Sequence, residues 1–174
     1  MKKTDSQPDI SILIPACNKE KSILRSLHSA LEQTGTNVEV IVADDASSDR
    51  TGELVRALAE KDSRIRLVTH RENRGTLISR MDAFKASTGK YILCLDADDT
   101  LDPGAAELVL ETAEKEQADL VGFGARLYHG KACAGAVDAV RRILTMVEGL
   151  IPTETRLWFL LKRGVDWFRW RKYR

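Results

Sequence analysis

Along residues 10–124, short apolar runs rich in β-branched residues alternate with segments of helical period, and few architectures accept that alternation. Residues 10–15, 38–43, 65–68, 91–95 and 119–124 read as strands. Between them, Ile23, Leu24, Leu27, Ala30 and Leu31 recur at three- and four-residue spacing, as do Leu54, Val55, Leu58 and Ala59. Leu77, Ile78, Met81, Ala83 and Phe84 form a broad helical face, and Leu108, Val109, Leu110 and Ala113 another. The order is βαβαβαβαβ. It predicts an α/β fold with a mostly parallel central sheet, right-handed crossovers and helices on both faces. Pro15 is expected to end the first ladder, Asn18 to cap the first helix and Gly35 to follow its C-terminus.

Chemistry collects at the strand ends. The run 90–95 leads straight into Asp96, Ala97, Asp98 and Asp99, and the second strand leads into Asp44 and Asp45. In an open parallel sheet these clusters share the C-terminal edge with the loop Pro15, Ala16 and Cys17, so one ligand can touch all three. Crowded carboxylates are relieved by a divalent cation, by a raised pKa or by water. The structural alternative is a polar turn in which Asp99 or Asp102 caps the helix after Pro103. Neither a GxGxxG after the first strand nor a GxxxxGK[ST] is present, which removes the glycine-rich phosphate loops. A bound nucleoside diphosphate would have its charge met by a metal on the carboxylates and by Arg74 or Arg80.

At 174 residues, 43% hydrophobic and 30% charged, the sequence suits one soluble domain. No run approaches the ~20 apolar residues of a membrane span, and a cytoplasmic location is expected. Cys17, Cys94 and Cys133 form no CxxC pair, so reduced thiols are expected, with Cys94 in the core. The net charge of +1 conceals a basic end: residues 155–174 hold seven Arg and Lys against Asp166, so the body is net acidic and offers no nucleic-acid face. All three Trp lie in that end, which suits peripheral contact with the cytoplasmic face of a membrane, or docking on a partner or on its own domain, self-association included. On a helical wheel its apolar residues scatter, and Gly164 weakens any helix there. A helix is also expected over 137–150. His28 reads as a helical surface or packed residue, and His70 and His129 as loop residues without a partner at metal-binding spacing.

Four segments in register carry a resemblance: Ile12 to Glu20 (ILIPACNKE), Val40 to Thr51 (VIVADDASSDRT), Asn73-Arg74-Gly75, and Gly89 to Asp99 (GKYILCLDADD). Together they resemble family 2 glycosyltransferases over residues 9–125. The resemblance implies a Rossmann-like GT-A fold: a nucleotide-sugar (donor) domain over 1–130, followed by a helical C-terminal segment over 131–174 that bears the basic aromatic tail. It implies that Asp45 reads the base, that Pro15, Ala16, Cys17 and Asn18 line the nucleoside pocket, and that Arg74 and Arg80 meet the phosphates. Asp96 and Asp98 would be the DxD motif, Asp98 as the Mn²⁺ or Mg²⁺ ligand and Asp96, with Ala97 between them, on ribose or metal. The activity implied is transfer from a UDP- or GDP-linked sugar to a glycan or lipid-linked acceptor, inverting and metal-dependent, in polysaccharide synthesis.

Three departures stand against that pattern. Cys17 replaces a common aromatic residue, Ser79-Arg80-Met81 keeps only the Arg of an Ala-Arg-Asn run, and no Glu-Asp pair supplies the base. Asp138, Glu148 and Glu154 are the acidic residues between the fifth strand and the basic end, and nothing local selects one of them. Two rival readings follow: a module that binds nucleotide sugar without turnover, because its acceptor half is reduced, and a haloacid-dehalogenase-like phosphatase with Asp96 as nucleophile.

Overall fold

The computed structural model describes residues 7–124 and 157–162. Its elements run β1 (Ile10–Ala16), α1 (Ile23–Leu31), β2 (Val38–Asp44), α2 (Thr51–Ala59), β3 (Ile65–Thr69), α3 (Thr76–Ala86), β4 (Tyr91–Cys94), α4 (Ala105–Lys115), β5 (Leu120–Gly124) and β6 (Leu157–Lys162). One sheet has the order β3-β2-β1-β4-β6-β5. β1 pairs in parallel with β2 and β4, and β2 with β3, whereas β6 is antiparallel to both β4 and β5. The sheet is thus mostly parallel, as the alternation predicts. Chain order reverses at β1, whose neighbours are β2 on one side and β4 on the other; the rim between β1 and β4 is the switch point where such sheets bind ligands.

All seven residues of β1 and of β2 are buried, because helices cover both faces of the sheet. Ile10, Ile12, Ile14, Val38, Val40, Val42, Tyr91 and Leu93 pack with Ile23 and Leu27 of α1, Val55 of α2, and Val109 and Ala113 of α4. The alternate residues Leu13, Ile41, Ala43 and Ile92 face Ala83 and Phe84 of α3. Two polar residues of these strands, Ser11 and Glu39, lie on the α3 side and satisfy each other, Ser11 Oγ donating to Glu39 Oε1 at 2.6 Å. Arg66 donates to the other carboxylate oxygen, and the Thr88 and Gly89 N–H groups also donate to Oε1. Burial alone would push the Glu39 carboxyl up, but the hydrogen bonds from Ser11, Thr88 and Arg66 outweigh it and hold the group below its ordinary value. A Cβ on Gly89 would lie 2.6 Å from the Ser11 backbone nitrogen, so only glycine lets α3 turn into β4 this close to β1.

Five expectations change. Pro15 ends pairing on the β4 side, where the last partner of β1 is Leu13, but the ladder with β2 runs on to Ala16 and Asp44. Asn18 is no helix cap: it sits at φ 53 and α1 begins only at Ile23, because its side chain is engaged by the 47–48 loop instead. On α3, Leu77 is 69% and Met81 48% exposed, and the buried positions are Ser79 and Ala83; a helix lying this close to the sheet buries its small residues. α4 starts after Gly104 in the left-handed region without a side-chain cap from Asp99 or Asp102. Within the expected helical segment 131–174, residues 157–162 form strand β6, whose first five residues are apolar and which supplies the partner β4 and β5 both need. The helix expected over 137–150, together with His129 and Cys133, lies outside the described residues.

Candidate functional site

Three loops leave the C-terminal ends of β1, β2 and β4 at the switch point, and a depression of about 350 Å³ opens among them. Pro15, Ala16, Cys17 and Lys19 line it from β1, Asp45 from β2, Asp96, Ala97 and Asp98 from β4, and Thr76, Ser79 and Arg80 from the start of α3. Eight of the ten residues singled out from sequence therefore meet in one cavity. Asn18 and Arg74 do not line it. Asn18 Oδ1 accepts the Ser48 N–H at 2.8 Å, and the Arg74 guanidinium pairs with Asp82 at 2.9 Å while its backbone N–H donates to Asp45.

Side chains of small polar residues zip the first two loops together. The Asn18 N–H donates to Ser47 Oγ, the Lys19 N–H to Thr51 Oγ1 at 2.8 Å and the Glu20 N–H to Asp49 Oδ2 at 3.0 Å. The acidic loop is held from behind by one face of α1 and by Gln33 just beyond its end. Arg25 donates to the Asp98 carbonyl at 2.9 Å, Ser26 to the Asp99 carbonyl at 2.6 Å and Gln33 to the Asp102 carbonyl at 3.1 Å. Ser29 Oγ, on the same face, accepts the Leu101 N–H. Backbone groups between β4 and α4 thereby find partners without a helix cap, and Asp98 is held at the cavity mouth.

Each acidic side chain lining the cavity faces a basic one. Asp45, 3% exposed, accepts His70 Nδ1 at 2.7 Å and the Arg74 and Gly75 N–H groups, each at 2.8 Å. Burial raises its carboxyl, but these donors outweigh burial and leave it below its ordinary value, so Asp45 stays ionised. Asp96 pairs with Arg80 at 2.5 Å, and Arg80 Nε is buried with no hydrogen-bond partner among the described residues. Asp98 pairs with Lys19 Nζ at 2.9 Å; these two side chains are 44% and 37% exposed. Cys94, just below, is half-buried rather than core, and burial pushes its thiol up. Lys19, Thr76, Ser79 and His70 were not singled out for the site from sequence. Lys19 lies inside a quoted motif, while His70 reaches Asp45 only through the folding of the β3–α3 loop.

Among the described residues no three His, Cys, Asp or Glu side chains converge as a metal cage. Two carboxylates do suit Mg²⁺ or Mn²⁺, hard cations that take one or two protein carboxylates and complete their shell from substrate phosphates. Asp96 and Asp98 are the residues that fit.

Comparison with known proteins agrees with this geometry. Residues 11–134 match Glycosyl transferase family 2. The succinoglycan biosynthesis protein ExoO of Rhizobium meliloti is 38% identical over 116 residues, which is 67% of this chain and 33% of that protein. The crystal structure of S. aureus TarS 1-349 in complex with UDP-GlcNAc superposes with a TM-score of 0.65 at 24% identity, covering 73% of this chain and 37% of that one. The mannosyltransferase PcManGT of Pyrobaculum calidifontis, in complex with GDP-Man and Mn²⁺, gives 0.59 at 25% identity, covering 71% and 37%. The chain spans about a third of the length of the curated relatives it matches first. The phosphatase reading of Asp96 gives way, since that residue falls within the segment matched by a different family. Strand order, rim carboxylates and matched segment coincide, and on those grounds this chain belongs to glycosyl transferase family 2 and carries its GT-A fold.

Proposed function

We propose that the cavity binds a nucleoside-diphosphate sugar, UDP- or GDP-linked, and that the chain supplies the donor half of a glycosyltransferase acting in polysaccharide synthesis. The observation that carries this is the convergence of Asp45, Arg80, Asp96 and Asp98 on one cavity at the switch point. Asp45 is built to read a base. Two donors occupy its Oδ1 and one its Oδ2, which leaves an acceptor lone pair for a ring N–H, a group uracil and guanine both carry. Pro15, Ala16 and Cys17 wall the nucleoside, and Asp96 accepts from a ribose hydroxyl or shares the cation. The Arg80 guanidinium, its side chain 38% exposed, lines the cavity where a phosphate oxygen would lie.

Asp98, with Asp96, would hold Mn²⁺ or Mg²⁺, and the cation when bound supplies charge stabilisation for the departing diphosphate. An acceptor hydroxyl on a glycan or lipid-linked saccharide attacks the anomeric carbon from the opposite face, its proton passing to a base; the bond to the diphosphate breaks and configuration inverts. Asp138, Glu148 and Glu154, the acidic residues between β5 and the basic end, lie outside the described residues. Support comes from a relative named for succinoglycan biosynthesis and from fold neighbours solved with UDP-GlcNAc and with GDP-Man and Mn²⁺. The test is a panel of UDP- and GDP-sugars with Mn²⁺, scoring release of the nucleoside diphosphate with and without saccharide acceptors. Release of UDP or GDP that requires Mn²⁺ is expected. Tight donor binding without any release would leave a binding module, and no binding of any donor would overturn the proposal.

A further inference from the structure

Lys19 occupies the position where its charge matters most. Its ammonium sits 2.9 Å from Asp98 Oδ2, inside the cavity that Asp96 and Asp98 share. The backbone of Lys19 is pinned, its N–H on Thr51 Oγ1 at 2.8 Å and its carbonyl accepting the Ile23 N–H at 2.9 Å, while the side chain is 37% exposed and free to swing on its four-carbon stem. Asp98 is held from the other side, where Arg25 donates to its carbonyl. A carboxylate on a tethered backbone thus faces an ammonium on a long, flexible stem. We propose that Lys19 is a built-in competitor for the cation site: it neutralises Asp98 while the cavity is empty, yields that carboxylate to a divalent cation arriving with a nucleoside diphosphate, and turns its own charge onto the phosphates.

The inference rests on the donor reading above, and it predicts opposite effects on two ligands. Removing the ammonium takes a competing cation from Asp98 and strengthens binding of the metal alone, yet it takes a positive charge from the diphosphate when metal is absent. A merely structural role for Lys19 would move both in one direction.

The experiment titrates Mn²⁺ alone into the full chain, following the spectrum of free Mn²⁺ by electron paramagnetic resonance, and separately titrates UDP and GDP in chelator by calorimetry. Lys19→Met is expected to bind Mn²⁺ roughly five-fold more tightly than the parent, the scale of a half-exposed ion pair, and to bind the preferred nucleotide more weakly in chelator. Lys19→Arg keeps the parent's values, and Asp98→Asn added to Lys19→Met abolishes the gain. If Lys19→Met is poorly folded by circular dichroism, Lys19→Gln replaces it. Mn²⁺ affinity that does not rise, or that moves in the same direction as nucleotide affinity, overturns the inference. Should parent binding of UDP and GDP with Mn²⁺ ignore Asp98→Asn, the donor reading fails instead.

Discussion

Asp45 is a buried carboxylate that is tied into the fold and also lines the candidate cavity. Its charge is held by His70 and two backbone N–H groups from the loop before α3, so replacing it with Asn turns one acceptor into a donor facing other donors. Asp45→Asn should weaken UDP or GDP binding by about ten- to a hundred-fold, the scale of a hydrogen bond to a charged group. Affinity for inorganic diphosphate should be unchanged, because on the proposed function Asp45 addresses the base; calorimetry with both ligands checks this, and equal losses would contradict it. Asp45, Asp96 and Asp98 were legible in the sequence because an apolar strand announces its own end. Lys19 and His70 were not. Their partners lie 79 and 25 residues away, and no local pattern records a contact made by the folding of two loops.

At the level of elements, α1 and the Glu39 cluster hold the sheet's two rims. α1, through Arg25, Ser26 and Ser29, and Gln33 just beyond its end tie the acidic loop at the C-terminal rim. Glu39 fastens the opposite end of β2 to β1 and to the turn before β4. Its depressed carboxyl sets the sign of a pH effect: the contribution to stability is whole above the unfolded pKa of about 4.3 and is lost as pH falls through the lower folded value. Glu39→Gln should cost roughly 1–3 kcal/mol at neutral pH. Its urea midpoint should fall less steeply than the parent's below about pH 4.3; parallel curves would contradict the assignment. The strands could be read from sequence because burial on both faces leaves continuous apolar runs. α3 could not, since Leu77 and Met81 imitate a core stripe while Ser79 and Ala83 make the contact.

For the molecule as a whole, the sheet is completed by a segment far from its neighbours in sequence. β6 inserts antiparallel between β4 and β5, with Leu160 opposite both Leu93 and Val121. Leu160→Pro removes an amide from the interior of the sheet; leaving its partner unpaired costs about 1–3 kcal/mol and should lower the thermal midpoint by roughly 2–12 °C. An unchanged midpoint would show that β5 and β4 do not depend on β6. The parallel half was legible because each crossover helix follows its strand; β6 was hidden because the aromatic, basic composition of 155–174 suggested a surface segment rather than a strand inside the sheet.

The central claim is that Asp98, beside Asp96, secures a divalent cation that grips a sugar donor's diphosphate at the rim between β1 and β4. Calorimetric titration of UDP and of GDP into the parent chain and Asp98→Asn, each in Mn²⁺ and in chelator, tests it most directly. The account predicts that one nucleotide binds the parent in Mn²⁺ at least about ten-fold more tightly than it binds in chelator, and that Asp98→Asn removes that difference. Binding of both nucleotides that is indifferent to chelator and to the substitution would contradict it.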